Sequence, residues 1–182
     1  REVQLQYAEA SADEANWVPI ESRAAGAGAF FVSYALCPHI VLRCEASNGR
    51  CVEAHRSGHL DCHDTLLRGG TQLVRVRVGG SYNGGNGAEE RDGDLTAGET
   101  EWLVAVAHRK QYRPMGTGGR DGMFIAFQYA HALLWFQPSP PFAIVDTTEY
   151  FSLPPVFGTM LDGVQFCAGA LVDNRQLVLT YG

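Results

Sequence analysis

The sequence predicts an all-β fold, and three observations lead there. Short apolar runs rich in Val, Ile, Phe, Tyr and Trp recur along the chain, each closed by glycine, proline or polar residues, which is the punctuation of strands. Period-two alternation is clear in Thr71–Val78, where Leu73, Arg75 and Arg77 share one face and Val74, Val76 and Val78 line the other. Only Val3–Asn16 has a helix-like composition, and within it Val3, Leu5 and Tyr7 alternate as a strand does. That stretch reads as a first strand followed by a loop.

Eleven further strands are expected: Trp17–Ile20, Ala29–Leu36, His39–Arg43, Arg50–Ala54, Leu73–Val78, Glu101–Ala107, Met123–Phe127, His131–Phe136, Phe142–Asp146, Val164–Leu171 and Gln176–Tyr181. The strand at Leu73–Val78 should be wet on one side, because its arginines alternate with valines. Two glycine-rich segments, Gly79–Gly98 and Arg113–Gly122, read as exposed inter-strand loops. Their glycines are too irregular for a phosphate cradle, and no helix follows either one. So many short strands imply meanders, and a sandwich, an open barrel or several propeller blades all fit. A faint recurrence supports repetition: Phe31–Tyr34, Val104–His108 and Leu177–Tyr181 each end an apolar run in Tyr or His, at spacings of 74 and 73 residues.

The chain has 182 residues, the length of one ordinary domain. Fourteen Lys+Arg against 20 Asp+Glu leave a net charge of −6, which argues against a nucleic-acid partner, since clustered positive charge supplies most non-specific affinity for phosphate backbones. With 46% hydrophobic and 19% charged residues, a packed core is expected and wholesale disorder is not. No window reaches the roughly 18 apolar residues of a membrane span, and no signal peptide is visible. The chain starts at Arg1, so it is expected to be a fragment of a longer one. Five cysteines, Cys37, Cys44, Cys51, Cys62 and Cys167, are too spread for a disulfide scaffold. Cys44 and Cys51 face each other only if the Ser47-Asn48-Gly49 turn belongs to a four-residue loop; a two-residue Asn-Gly turn pairs Cys44 with Glu53 instead. A secreted chain would oxidise the first arrangement, so the redox compartment stays open, with the secretory pathway or the extracellular space among the choices.

Several phrases, taken in order, resemble a known family. Asn16-Trp17-Val18-Pro19-Ile20, then Phe31-Val32-Ser33-Tyr34 and Pro38-His39-Ile40-Val41-Leu42, are similar to the Asn-Trp and Pro-His stretches of five-bladed β-propeller mannoside phosphorylases and related β-mannosyltransferases. Leu67-Arg68-Gly69-Gly70-Thr71 resembles the opening of the next blade, Val104–Arg109 its Ala-His-Arg strand, and Tyr129-Ala130-His131 with Pro140-Pro141-Phe142 a later meander. Val164–Gly169 and Leu179–Gly182 resemble the last matched blade, so the likeness spans about residues 14–182. It implies a partial β-propeller of four-stranded antiparallel blades, five-bladed if completed, filling residues 1–182 as one domain. Two departures stand out: Ala15 replaces the family's lysine, and the chain stops at Gly182, where the family continues into an acidic residue and a further blade.

Glycosyl transfer needs a proton donor or acceptor beside the anomeric centre, usually a carboxylate. Asp13 and Asp64 are the catalytic carboxylate candidates, and His108, closing an apolar strand, is the third catalytic candidate. Glu14 shares the position of Asp13 before Asn16-Trp17, whereas Asp162 reads as a turn residue. Arg68 offers a rigid fork of donors for sugar hydroxyls or a nucleotide phosphate, and Asn16, Thr71 and His131 join it as substrate-binding candidates. Trp17 and Tyr34 present apolar area with a polar tip to a sugar ring. For each, a packing or loop role competes with the functional one; His39 and His131, beside aromatic and apolar residues, both read first as packed, hydrogen-bonded histidines. The segment with His55, His59, Cys62 and His63 has zinc-compatible donors but loose spacing, so a polar loop is expected and no metal site. There is no Rossmann cofactor motif, and no cofactor is expected.

Three function classes follow. The first is glycosyl transfer of mannosyl type, or phosphorolysis, with carbohydrate and a nucleotide-sugar or phosphate as partners. The second is a non-catalytic propeller module that binds a glycan or a protein, marked by aromatic stacking positions without a paired carboxylate at the pocket floor. The third is a structural element of a larger assembly.

Overall fold

A computed structural model describes residues 2–10, 17–58, 67–79, 98–115, 124–154, 165–173 and 176–182. Within them the chain is all-β, with a curled, half-barrel sheet, and the one helical turn described is the three-residue 3₁₀ segment Arg23–Ala25, capped by the Ser22 hydroxyl. The strands are β1 Gln6–Tyr7, β2 Val18–Ile20, β3 Ala29–Leu36, β4 His39–Glu45, β5 Arg50–Ser57, β6 Leu67–Gly69, β7 Val74–Gly79, β8 Glu99–Met115, β9 Phe124–Phe136, β10 Ile144–Thr147, β11 Cys167–Asp173 and β12 Gln176–Tyr181.

They form two five-stranded sheets and a ribbon. The first sheet runs β1-β5-β4-β3-β2, antiparallel except where β1 joins β5 in parallel. The second runs β10-β9-β8-β6, with β7 also pairing β8, and β11 and β12 make the ribbon. One apolar cluster joins the two sheets: Ile20, Phe31, Leu36 and Val41 from the first meet Leu103, Ala105, Leu134, Phe136 and Ile144 from the second, with Phe142 among them. Phe31 and Phe142 pack edge to face at 5.2 Å, a geometry that adds to plain burial.

The period-two pattern decides which residues enter this core. Along β4, Val41 points inward, whereas Ile40, Leu42 and Cys44 build a second cluster with Val32 and Cys51 on the opposite face of the same sheet. Both faces of the first sheet are therefore apolar, which is why its central strands read as unbroken hydrophobic runs. Just before β7, Leu73 packs at the core edge, and on β7 Arg75 and Arg77 pair with Glu101 of β8, so the expected wet face belongs to an edge strand.

The β4–β5 hairpin settles the cysteine alternatives. Its loop has four residues, Ala46 to Gly49, so Cys44 and Cys51 are register partners and form a disulfide. The Gly49 amide donates to the Glu45 carbonyl at 2.8 Å, and the Asn48 side chain accepts from the Arg50 amide at 2.8 Å. Gly49 adopts φ +74° and lies so close to the Gln4 carbonyl that a side chain there would strike it. Its own carbonyl receives the Gln6 amide, which places β1.

Other boundaries moved outward. β8 extends through Met115, taking Arg113, Pro114 and Met115 out of the expected loop, and β9 fuses two expected strands across Gln128, Tyr129 and Ala130. The long mutual register of β8 and β9 outweighs the local turn-like composition, because each residue gains a ladder partner. β6 lies outside the expected strands; it forms because Leu67 is buried and pairs with Arg109. Among the described residues, no helix is long and apolar enough to cross a membrane.

Candidate functional site

The outer face of the first sheet carries an aromatic cluster with a polar rim. Val32, Ile40, Leu42 and the Cys44–Cys51 disulfide form its floor, and Leu5, Tyr7, Trp17, Phe30 and Tyr34 pack on it, each half-buried or nearly so. Tyr7 comes from β1, Tyr34 from β3 and Trp17 from just before β2. Alternation aims Tyr34 to this side, and parallel pairing of Tyr7 with Cys51 aims the tyrosine inward over β5. Although β5 and β4 separate β1 from β3 in the sheet order, the Tyr7 and Tyr34 rings meet edge to face at 4.9 Å. Trp17 meets Tyr34 at 5.3 Å, also edge to face. Side chains reaching over two intervening strands in this way fit a curled sheet.

Charged groups border the rings. Leu42 pairs with Glu53 and Ile40 with Arg56, so both polar residues share the face of the aromatic cluster. The Arg56 guanidinium donates from Nε to Glu53 at 2.9 Å and from a second nitrogen to the other carboxylate oxygen. This two-pronged hydrogen bond holds the Glu53 carboxyl below its ordinary range and raises Arg56 in turn. The Tyr7 hydroxyl donates to Glu9 at 3.2 Å. Burial, and then the Glu9 bond and charge, push the Tyr7 phenol upward, keeping it protonated and able to donate.

A second arrangement lies on the outer face of the second sheet. Arg68 of β6 is the register partner of His108 on β8, and His108 is the register partner of His131 on β9. Direct partners point to one side, so three sequence candidates stand in one cross-strand row. Arg68 is exposed, but His108 is 6% exposed and His131 fully buried. The His108 ring sits between Tyr129 at 5.2 Å and Phe166 at 4.8 Å, both edge to face. Phe151 continues the row, exchanging two backbone hydrogen bonds of 2.8 Å with His131 and tilting its ring over the imidazole at 5.8 Å.

Neither nitrogen of His131, nor Nδ1 of His108, has a hydrogen-bond partner among the described residues. Burial lowers His108 to about 4, with His131 and Arg68 adding to the effect. His131 is lowered by burial as well; the carbonyls of Phe151 and Gln165 oppose this without completing a hydrogen bond. Both imidazoles are neutral at pH 7. Gly70 gives His108 its room, since a Cβ there would stand 2.8 Å from the Val106 carbonyl and 3.3 Å from His108 Nδ1.

The remaining candidates divide between these faces and the interior. Thr71 is 1% exposed, and its hydroxyl accepts from the Val106 amide at 3.0 Å while donating to the Gln72 carbonyl at 3.0 Å. That hydroxyl is fully used in joining the chain after β6 to β8. Beside it, Val18, Ser33, Leu36, Leu73 and Phe136 line an inter-sheet void of about 10 Å³, too small for a sugar. His39 is a core histidine as expected: it is 3% exposed, hydrogen-bonded to Ser33 Oγ at 3.2 Å and packed on Phe136 at 5.4 Å. Asp13, Glu14, Asn16, Asp64 and Asp162 lie outside the described residues, as do His59, Cys62 and His63. The sequence reading missed Tyr7, Glu53 and Arg56. Their one signal was the alternation of Leu5 and Tyr7, and nothing local tells that β1 pairs with β5.

Trp17 and Tyr34 thus stand together on one face, and Arg68, His108 and His131 together on another. Because the two sheets share the core through their inner faces, these sites lie on opposite sides of the molecule. No protein-family model, curated protein or solved structure matches this chain.

Proposed function

We propose that the chain is a carbohydrate-binding β module that holds a glycan on the outer face of its first sheet. The observation behind this reading is the cluster of Tyr7, Tyr34 and Trp17 bordered by Glu53 and Arg56. Sugars offer apolar C–H faces and a rim of hydroxyls. Half-buried aromatic rings meet the first, and a carboxylate, a guanidinium and a phenol meet the second. The disulfide floor and paired charges hold these groups before a ligand arrives, which lowers the ordering cost of binding. The resemblance of the Asn16-Trp17 and Pro38-His39 phrases to mannoside-active enzymes supports mannose-type sugars as the first ligands to try.

Transfer or phosphorolysis needs a carboxylate at the sugar as well. On the aromatic face the Glu53 carboxylate is taken up by the Arg56 guanidinium, which supports binding ahead of catalysis. The binding reading also needs no propeller channel, since its groups sit on the face of one sheet. Titration calorimetry with manno-oligosaccharides and a panel of other glycans tests it. A glycan should bind, and Trp17→Ala or Tyr34→Ala should weaken it tenfold or more while leaving the circular dichroism spectrum unchanged. Binding indifferent to both substitutions, or no glycan bound across the panel, would refute the assignment.

A further inference from the structure

We propose that the row of Arg68, His108 and His131 is an acid-operated latch: protonation of the two imidazoles releases the strap through Phe151 and the β11–β12 ribbon from the outer face of the second sheet. The argument starts from what covers the pair. Phe151 lies over His131, tied by two backbone hydrogen bonds. Phe166, which precedes β11, lies against His108, and its amide and carbonyl pair with Gly182 at the far end of β12. The strap and the ribbon are thus the lids of two apolar sites, closed on rings of which both His131 nitrogens and Nδ1 of His108 are buried without a hydrogen-bond partner among the described residues.

Among the described residues, a charge on His108 meets like charge from His131 and Arg68. On the same face stand Arg68 from β6, Lys110 further along β8 and Tyr129 from β9, and the buried Cys167 thiol lies at the start of β11. Arg109, next on β8, sets its guanidinium 5.9 Å from the Tyr150 ring at the strap's edge. Glu149 on the strap is exposed. Protonating both imidazoles would align three cations in one row, two of them desolvated, so water must enter or the lids must lift.

The lids are the parts best able to lift. The ribbon's described side-chain hydrogen bond to the second sheet runs from Gln72 Nε2 to the Ala170 carbonyl at 2.6 Å. Its own residues Leu171, Val172, Val178 and Tyr181 are 37–48% exposed, so much of its apolar surface is already in water. Segments with few buried contacts open before the core does. Release that takes up two protons shifts the open population by up to about a hundredfold per pH unit below the ordinary imidazole value. For His108 the window runs down to about 4.

Hydrogen exchange resolved by residue, between pH 7 and pH 4.5 and corrected for intrinsic rates, tests the latch. The Phe151, Phe166 and Gly182 amides should lose protection steeply below pH 6, while Val41 and Leu134 in the core stay protected. The double variant His108→Phe with His131→Leu should keep those lid amides protected to pH 4.5. Lid protection independent of pH, or lost together with the core, would overturn the proposal. If the variant does not fold, ring C–H shifts of wild-type His108 and His131 decide. Midpoints below the ordinary imidazole value for both rings that coincide with lid exchange support the latch, and midpoints near 6.5 refute it.

Discussion

Acid should cost this fold global stability through His39, independently of the outer lids. The imidazole is 3% exposed between the sheets, held by Ser33 and Phe136, and burial lowers it from an ordinary 6.5 to about 4. Because the folded value lies below the unfolded one, the unfolded chain binds the proton more readily. The contribution is therefore complete above about pH 6.5 and lost as pH falls toward 4. A gap of about 2.5 pH units at about 1.4 kcal/mol each gives about 3 kcal/mol in full, with about 2 kcal/mol already lost at pH 5. That is a large part of the 5–15 kcal/mol typical of a domain. Urea denaturation at pH 7 and pH 5 measures the loss. Replacing His39 by Leu together with Ser33 by Ala removes the titrating group and its hydrogen-bond partner at once, leaving neither buried and unpaired. This double variant should lose about 2 kcal/mol less than wild type between the two pH values. Equal losses in the two proteins would show that His39 is not the source.

Three further outcomes follow from the geometry. Gly49→Ala should destabilise by more than 1 kcal/mol in urea, since the backbone is left-handed at φ +74° and the new methyl meets the Gln4 carbonyl. Thr71→Val should cost about 1–3 kcal/mol in thermal unfolding, because the buried Val106 amide loses its acceptor. Replacing Cys44 and Cys51 together by alanine should cost about 2 kcal/mol in urea unfolding under non-reducing conditions, the chain-entropy value for a short loop spanning a sequence separation of 7.

Strand placement was legible where a residue's partner lies close in sequence. β3, β4 and β5 follow one another through short turns, so the apolar runs found their limits and Cys44 met Cys51 once loop length was known. Legibility failed where the deciding contact is distant. Leu67–Gly69 lies outside the expected strands until β8 passes beside it, and Gln128-Tyr129-Ala130 falls between two of them until β8 supplies ladder partners. The site shows the same division. Each of Arg68, His108 and His131 was visible as a candidate, but their alignment comes from the register of three strands, and no spacing encodes that. Trp17 and Tyr34 were visible as aromatics in apolar runs, whereas Tyr7 joins them only through the parallel pairing of β1.

That parallel pairing also orders the assembly of the chain. The β3–β4 and β4–β5 hairpins close over a few residues each, and β8 with β9 zips outward from one connection, so all three have low loop-closure cost. β1 has no such neighbour. It can dock only on a β5 whose turn has already set Gly49, because the Gly49 carbonyl is what receives the Gln6 amide. The first described strand in chain order is then among the last to find its place. The aromatic face is complete only when Tyr7 arrives, so ligand binding at that face would report the final step of folding, not an early one.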